Sequence, residues 1–353
     1  MRTQQRIPVG RILLTALLLG GLGKGAPVQG QSRTGTSAAP FLILGTGARG
    51  SALGHAYTAV TSGADALFWN PAGAARSYDA ENRGAVFFTH TRWLAGIDYN
   101  AFGLVVPVTA SGVVGLSLAQ LDYGRMEVRT VELPEGTGET FGATDFVIGL
   151  SYAQPLTNTF FLGGTAKYVR QQIYDMSART LAVDVGFVLT TGYLNGLRLA
   201  ASIMNFGGEM QMRGVNTRVF VDIDPTNDGS NDALPAQLET QRWELPLSFK
   251  FGTAWPVIQT GQMRLELYAD AHQPTDNGLN ADAGAELRFM MGGANLDLRA
   301  GYKDLPLRNT YAHLTLGGGL DLQLGTLRFG ADVAYVPFEL LGHVTMLDLR
   351  LYF

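Results

Sequence analysis

The feature that most constrains this chain is a period-two alternation sustained over about ten residues at a time. In residues 180–189, Leu181, Val183, Val185, Phe187 and Leu189 share one face. In residues 262–271, Met263, Leu265, Leu267 and Ala269 oppose Arg264, Glu266, Tyr268 and Asp270. Leu347, Leu349, Leu351 and Phe353 alternate in the same way with Asp348, Arg350 and Tyr352. Strands of soluble sandwiches usually run about five or six residues. A strand that crosses a bilayer needs about ten, with one face to lipid and the other to a polar interior. Length therefore favours a closed barrel over two packed sheets.

Turn residues divide the chain into fourteen such segments, near 85–91, 98–107, 112–121, 144–154, 159–170, 180–190, 196–205, 246–256, 262–272, 281–290, 295–303, 312–322, 326–335 and 345–353. The even number suits a bacterial barrel, so the expected class is all-β, a 14-stranded antiparallel transmembrane β-barrel. Links after even segments are short, as at 108–111 and 291–294. Links after odd segments are longer and reach 122–143 and 206–245. Short periplasmic turns on one rim and long extracellular loops on the other are the outer-membrane arrangement.

Only 16% of residues are charged, against about a quarter in soluble domains. The net charge of −4 leaves no basic stripe for nucleic acid. With no cysteine, disulfide scaffolds, thiolate nucleophiles and an acylated lipoprotein anchor are all excluded. Five scattered histidines form no catalytic set with a Ser or Asp at diagnostic spacing, so no enzyme is expected. Acids and bases occur together on the inward face of the later strands, for example Glu286 with Arg288, Asp297 with Arg299 and Asp348 with Arg350. That mixture predicts a structural ion-pair lining rather than the single-sign lining of an ion path.

The N-terminus has a basic start (Arg2, Arg6, Arg11), a short apolar run over 12–19 and an exit rich in small residues. This is a secretory signal-peptide pattern whose apolar part is too short to span a bilayer. The expected organisation is a signal peptide over 1–31, a hatch or plug over 32–84 and a barrel over 85–353. Within the hatch, small residues dominate 41–75, where backbone can pack closely in a crowded lumen. Gly45, Gly47 and Gly50 form a lone GxGxxG, a weak dinucleotide signal without a βαβ unit.

The run Gly47-Ala-Arg-Gly-Ser-Ala-Leu-Gly54, followed by Asp65-Ala-Leu-Phe-Trp-Asn-Pro-Ala-Gly73, resembles the N-terminal signature of the PorV/PorQ family. That family is similar in turn to FadL-type outer-membrane barrels, whose hatch shares the Asn-Pro-Ala element, here Asn70, Pro71 and Ala72, followed by Gly73. Residues 93–97 and 332–353 resemble the family more loosely, and Gly342 to Met346 is less polar than usual there. The resemblance implies a component of a type IX-like protein secretion system. Such a barrel binds cargo C-terminal domains or the translocon through extracellular loops, without a cofactor. The alternative is a FadL-like transporter of hydrophobic small molecules. Membrane lipid, lipopolysaccharide and secretion proteins are the expected partners, and the bacterial outer membrane the expected location. The candidate partner-binding residues are Trp93, Leu94, Tyr123, Met126, Met210, Met212, Phe220 and Trp243, since methionines and aromatics suit partner contact. Asp222, Asp224, Asp228 and Asp232 partly follow the order of a Ca²⁺ loop. Pro235 stands where the closing Glu belongs, so the loop reads either as a calcium site or as a solvated turn.

Overall fold

A computed structural model describes residues 35–77, 84–108, 112–224, 226, 233–305 and 314–353. Residues 1–31, expected to be a signal peptide, lie outside them. Fourteen long strands form one antiparallel sheet: β1 Ala85–Arg92, β2 Asp98–Pro107, β3 Val113–Glu127, β4 Thr140–Pro155, β5 Phe160–Ile173, β6 Met176–Thr190, β7 Arg198–Gly207, β8 Ser248–Gln259, β9 Met263–Pro274, β10 Asn280–Met291, β11 Ala294–Leu305, β12 Leu314–Leu324, β13 Leu327–Phe338 and β14 Gly342–Tyr352. Each pairs with its chain neighbours, and β1 closes on β14 from Ala85 opposite Tyr352 to Arg92 opposite Thr345. Closure leaves no long strand edge unpaired, as a sheet in lipid requires. No described helix is long and apolar enough to cross a membrane.

The alternation sorts the two faces as expected. Leu181, Val183 and Val185 of β6 and Leu347 and Leu349 of β14 point outward and are exposed. Asp184, Asp348 and Arg350, one residue away in each case, are buried. Hairpin chemistry sets the register: between β10 and β11 the two-residue turn is Gly292-Gly293, at φ 47° and 104°. Such left-handed backbone is what a two-residue hairpin demands and glycine supplies.

Two expectations need correction. The strict alternation of short and long links fails, because β5 and β6 join through the two residues Tyr174 and Asp175. The loop expected over 122–143 also shrinks to 128–139, since β3 and β4 keep pairing out to Glu127 and Thr140. Above the bilayer the ladder still forms backbone hydrogen bonds, but no lipid selects an apolar face, so the periodicity stops before the strand does. The long loop between β7 and β8 holds three short ribbons. Met210–Gln211 pairs with Arg242–Trp243, Arg213–Gly214 with the start of β6, and Arg218–Val221 with Leu234–Gln237.

The core lies inside the barrel, around residues 35–77. Leu53, Tyr57, Val60 and Trp69 from this segment are buried with Val188, Ala200, Ala254 and Tyr268 of the wall. Leu67, Ala74 and Ala75 pack with Phe87, Val105 and Val113.

Candidate functional site

The small-residue segment meets the barrel wall in two chemically different ways. Residues 64–75 rest on β1 to β6 through close backbone approach. A Cβ at Gly103 would stand 2.7 Å from the Ala64 carbonyl oxygen, and one at Gly163 would stand 2.6 Å from the Ala72 nitrogen. Pro71 opens a 3-10 turn, Pro71–Ser77, where its missing N–H is least costly. Asn70 fixes that turn: its amide donates to the Thr58 and Phe187 carbonyls at 3.1 Å each, and its Oδ1 accepts from the Ala72 N–H at 3.2 Å. Gly73 has no room for a side chain, because a Cβ would collide with Thr61 Oγ1.

Residues 47–58 meet β8 to β14 through polar contacts. Asp348 Oδ2 accepts the Ala48 N–H at 2.5 Å, and Asp270 Oδ2 accepts those of Tyr57 and Thr58 at 3.1 and 2.9 Å. Thr315 Oγ1 accepts from the Gly54 N–H and donates to the Ala52 carbonyl, both at 3.1 Å. Arg49 grips Glu286 with two guanidinium nitrogens, at 3.1 and 3.0 Å. Burial disfavours charge on Arg49, but Glu286 together with Tyr57, Tyr268 and Asp297 outweighs it and raises the Arg49 pKa well above its ordinary value.

Glu286 ties Arg49 into a closed ring of alternating charge. Arg299 reaches Glu286, Asp297 and Asp332 at 2.6 Å each. Arg288 pairs with Asp297 at 2.6 Å and Asp321 at 3.4 Å, and Arg350 pairs with Asp321 at 3.1 Å and Asp332 at 2.7 Å. Arg299, Asp297, Arg288, Asp321, Arg350 and Asp332 thus complete a circuit across β10 to β14. The expected ion-pair lining is present. Glycines make room for the long side chains: a Cβ at Gly319 would collide with Asp332 Oδ1, and one at Gly330 would stand 2.6 Å from Asp321 Oδ1.

Two cavities flank the segment. The one toward the long loops holds about 200 Å³ and brings Phe68, Trp69 and Met204 together with His55, Lys250 and His272. Lys250 Nζ sits 4.8 Å from the Trp69 ring centroid, within cation–π reach. His272 Nε2 and Ser248 Oγ lie 2.7 Å apart. Burial, reinforced by Lys303 and Lys250, holds the His55 pKa well below its ordinary value. The cavity toward the short turns holds about 260 Å³ and is almost wholly polar.

The family pattern described as Type IX secretion system protein PorV matches residues 27–208. The chain belongs to the PorV family. It is an outer-membrane β-barrel of that secretion-system family, with FadL-like architecture. Solved structures similar in fold include the Pseudomonas putida toluene transporter TodX, with 12% identity and TM-score 0.53, covering 87% of this chain and 97% of that one. The CymD monoaromatic hydrocarbon channel aligns with 11% identity and TM-score 0.54 over 88% of this chain and 97% of its own. A Pseudomonas aeruginosa FadL homologue aligns with 12% identity and TM-score 0.53 over 87% and 98%. No curated protein matches the chain.

In this PorV-family barrel the expected partner-binding residues separate. Phe220 and Trp243 are exposed on the long loop, Phe220 at 77%. Met210 is 2% exposed and belongs to the core beneath that loop with Phe41, Tyr99 and Leu121, so its side chain does not face a partner. Tyr123 and Met212 pack against the same core, and the Tyr123 hydroxyl donates to Asp145 at 2.9 Å. Met126 is half-buried beside the β3–β4 extension. Trp93 and Leu94 pack against the buried cluster of Ala48, Ala52, Ala334, Val344 and Met346, with Trp93 edge-on to Phe338. In the acidic loop, Asp222 Oδ1 accepts the Asp224 N–H, and Asp224 Oδ1 accepts from Thr226. Asp228 and Asp232 lie outside the described residues, as does His313. The shared cavity of His55 and His272 escaped the sequence reading. Strand parity turns His272 inward with Asp270 and Glu266, but nothing in the sequence says which strand faces His55.

Proposed function

We propose that this PorV-family barrel serves type IX-like secretion by binding, with its long-loop face holding the translocon or the C-terminal domain of a cargo protein. One observation carries the reading: the segment 47–75 is bonded to both walls of the lumen, while apolar side chains stand free on the rim above it. Phe220, Ile223 and Trp243 are exposed on the long loop, large apolar side chains of the kind that protein partners cover. Function then resides in the rim and asks no bond-making of the lumen.

The test is partner capture from detergent-solubilised outer membrane with Phe220→Asp and Trp243→Ala. Capture should fall by about tenfold or more, as for an interface anchor, while the heat-resistant mobility of the barrel stays unchanged. Undiminished capture by the double variant would remove the long loop from the reading.

A second reading has its own support. The outer cavity sets Phe68, Trp69 and Met204 against Lys250, an amphiphilic lining that suits a hydrophobic small molecule carrying an acidic head. Binding of a fluorescent fatty acid that is lost in Lys250→Met, with partner capture intact, would favour transport.

A further inference from the structure

The cavity at the short-turn rim has a charge imbalance that the ring of ion pairs does not absorb. Seven arginines line it, against three carboxylates, Glu266, Glu286 and Asp321. Each carboxylate is already shared by two arginines: Glu266 by Arg198 and Arg264, Glu286 by Arg49 and Arg299, Asp321 by Arg288 and Arg350. Arg76 and Arg328 are left over. Arg76 Nη1 donates to the Ala59 and Thr61 carbonyls, at 3.3 and 2.8 Å, and Arg328 lies 4.0 Å above the Tyr352 ring. Neither has a carboxylate partner among the described residues. Burial, with Arg198 nearby, lowers the Arg76 pKa to about 9.

A second observation points the same way. The Nε–H groups of Arg198, Arg264 and Arg350 are buried without an acceptor among the described residues, and Arg198 and Arg350 are more than nine-tenths buried. A buried charged donor without an acceptor costs more than its bond would return, so such groups mark a place for a missing acceptor. The cavity is open to a solute: the Arg264 side chain at its mouth is 32% exposed. At about 260 Å³ it exceeds several times the ~30 Å³ share of one water.

We infer that this vestibule, between the inserted segment and the short-turn rim, binds a phosphate-class dianion from the periplasmic side. Arg76 and Arg328, the two lining guanidiniums without a carboxylate partner among the described residues, match a double negative charge. Guanidinium N–H donors that line the cavity from β7, β9 and β14 match the several oxygens of a tetrahedral oxyanion better than the two of a carboxylate. The site is independent of the long loops and of what they bind.

The test uses the full-length protein in detergent at low ionic strength, with inorganic phosphate as the probe, acetate as the control and binding read by calorimetry. Phosphate should bind, acetate should bind more weakly, and added salt should weaken both. Arg76→Gln and Arg328→Gln should each lower phosphate affinity by about tenfold, the loss of one charge-assisted contact. Arg328→Lys, which keeps the charge, should lose less. All three variants should keep the heat-resistant mobility of the folded barrel, so a folding defect is seen as such. Short-chain phosphatidic acid supplies a second arm: binding of that lipid alone keeps the phosphate chemistry and makes a lipid headgroup its source. Absence of binding in both arms, or equal affinity of the wild type and Arg76→Gln with Arg328→Gln combined, overturns the inference.

Discussion

One barrel presents two unlike walls to one inserted segment. Where residues 64–75 rest on β1 to β6 the wall is small and apolar, and Ala64, Leu67, Pro71 and Ala72 touch it where Gly103, Gly115 and Gly163 leave space. Along β9 to β14 it is charged, and Asp348, Glu286 and Asp270 hold the backbone and Arg49 of residues 48–58. The apolar wall gains from burial, which is insensitive to geometry at the level of single atoms. The charged wall gains only while every member is paired, because a buried charge that loses its partner is left desolvated. The two walls should therefore fail differently, one gradually and the other abruptly.

Arg299→Ala breaks the charged wall where it is most connected. It takes one of two guanidinium partners from Glu286, Asp297 and Asp332 at once, and removing one member of a buried pair costs about 3–5 kcal/mol. The heat-modifiable gel transition should drop further than in any glycine or surface variant, and a loss no greater than that of an exposed residue would show that water already solvates the ring. Glycine substitutions compare the walls directly. In Gly301→Val the new Cβ collides with the Gly54 nitrogen, a tighter clash than in Gly163→Val, where it meets the Ala72 nitrogen at 2.6 Å. Overpacking costs about 1–3 kcal/mol, with Gly301→Val at the upper end. Tryptic cleavage after Arg49 and Arg76 should report release of the inserted segment; faster cleavage in Gly163→Val would reverse the ranking of the walls.

The charged wall was more legible in sequence than the apolar one. Parity alone placed Glu286, Arg288, Asp297 and Arg299 inward, and their mixed signs announced pairing. That Gly319 and Gly330 exist to admit Arg299 and Arg350 follows only from register across three strands. The inward glycines of the other wall carry no such mark, since a glycine for close approach looks in sequence like a glycine for a turn. Asn70 and Gly73 were visible as a motif, yet the Phe187 carbonyl that receives Asn70 lies on a strand 117 residues away. Met210 misled for a related reason: loop methionines suit partners and cores equally, and only the ribbon with Arg242–Trp243 folds this one inward.

Between the walls sits His55, edge-on to Trp69 with ring centroids 5.2 Å apart, and it gives the comparison a pH axis. Its pKa is held well below 6.5, first by burial and then by Lys303 and Lys250. The released segment takes up a proton below its ordinary pKa and the docked one does not. Docking should therefore be full above about pH 6.5 and weaken as pH falls below it, by at most ~1.4 kcal/mol per pH unit. Asp65, whose pKa burial raises, contributes with the opposite sign, its docked form losing advantage as pH rises through that raised value. Hydrogen-exchange protection in residues 45–58, corrected for the intrinsic pH dependence of amide exchange, should fall from pH 7 to pH 5 in the wild type and stay flatter in His55→Asn, which tolerates the φ of 70° at this position. A steep profile that survives the substitution would assign the proton uptake to another group.

The smallest effect is expected outside both walls, on the β3–β4 extension. Glu127 and Arg129 approach to 3.9 Å there with side chains 54% and 64% exposed. Water competes for both ions, so Glu127→Ala should shift barrel stability by no more than about 0.5 kcal/mol. Like Arg299→Ala it removes one member of an acid–base contact, and it differs in solvation and in the number of partners, one against three. If the two variants lowered the gel transition equally, desolvation would not be what makes the lumen pairs matter, and the contrast between the walls would reduce to a difference in packing.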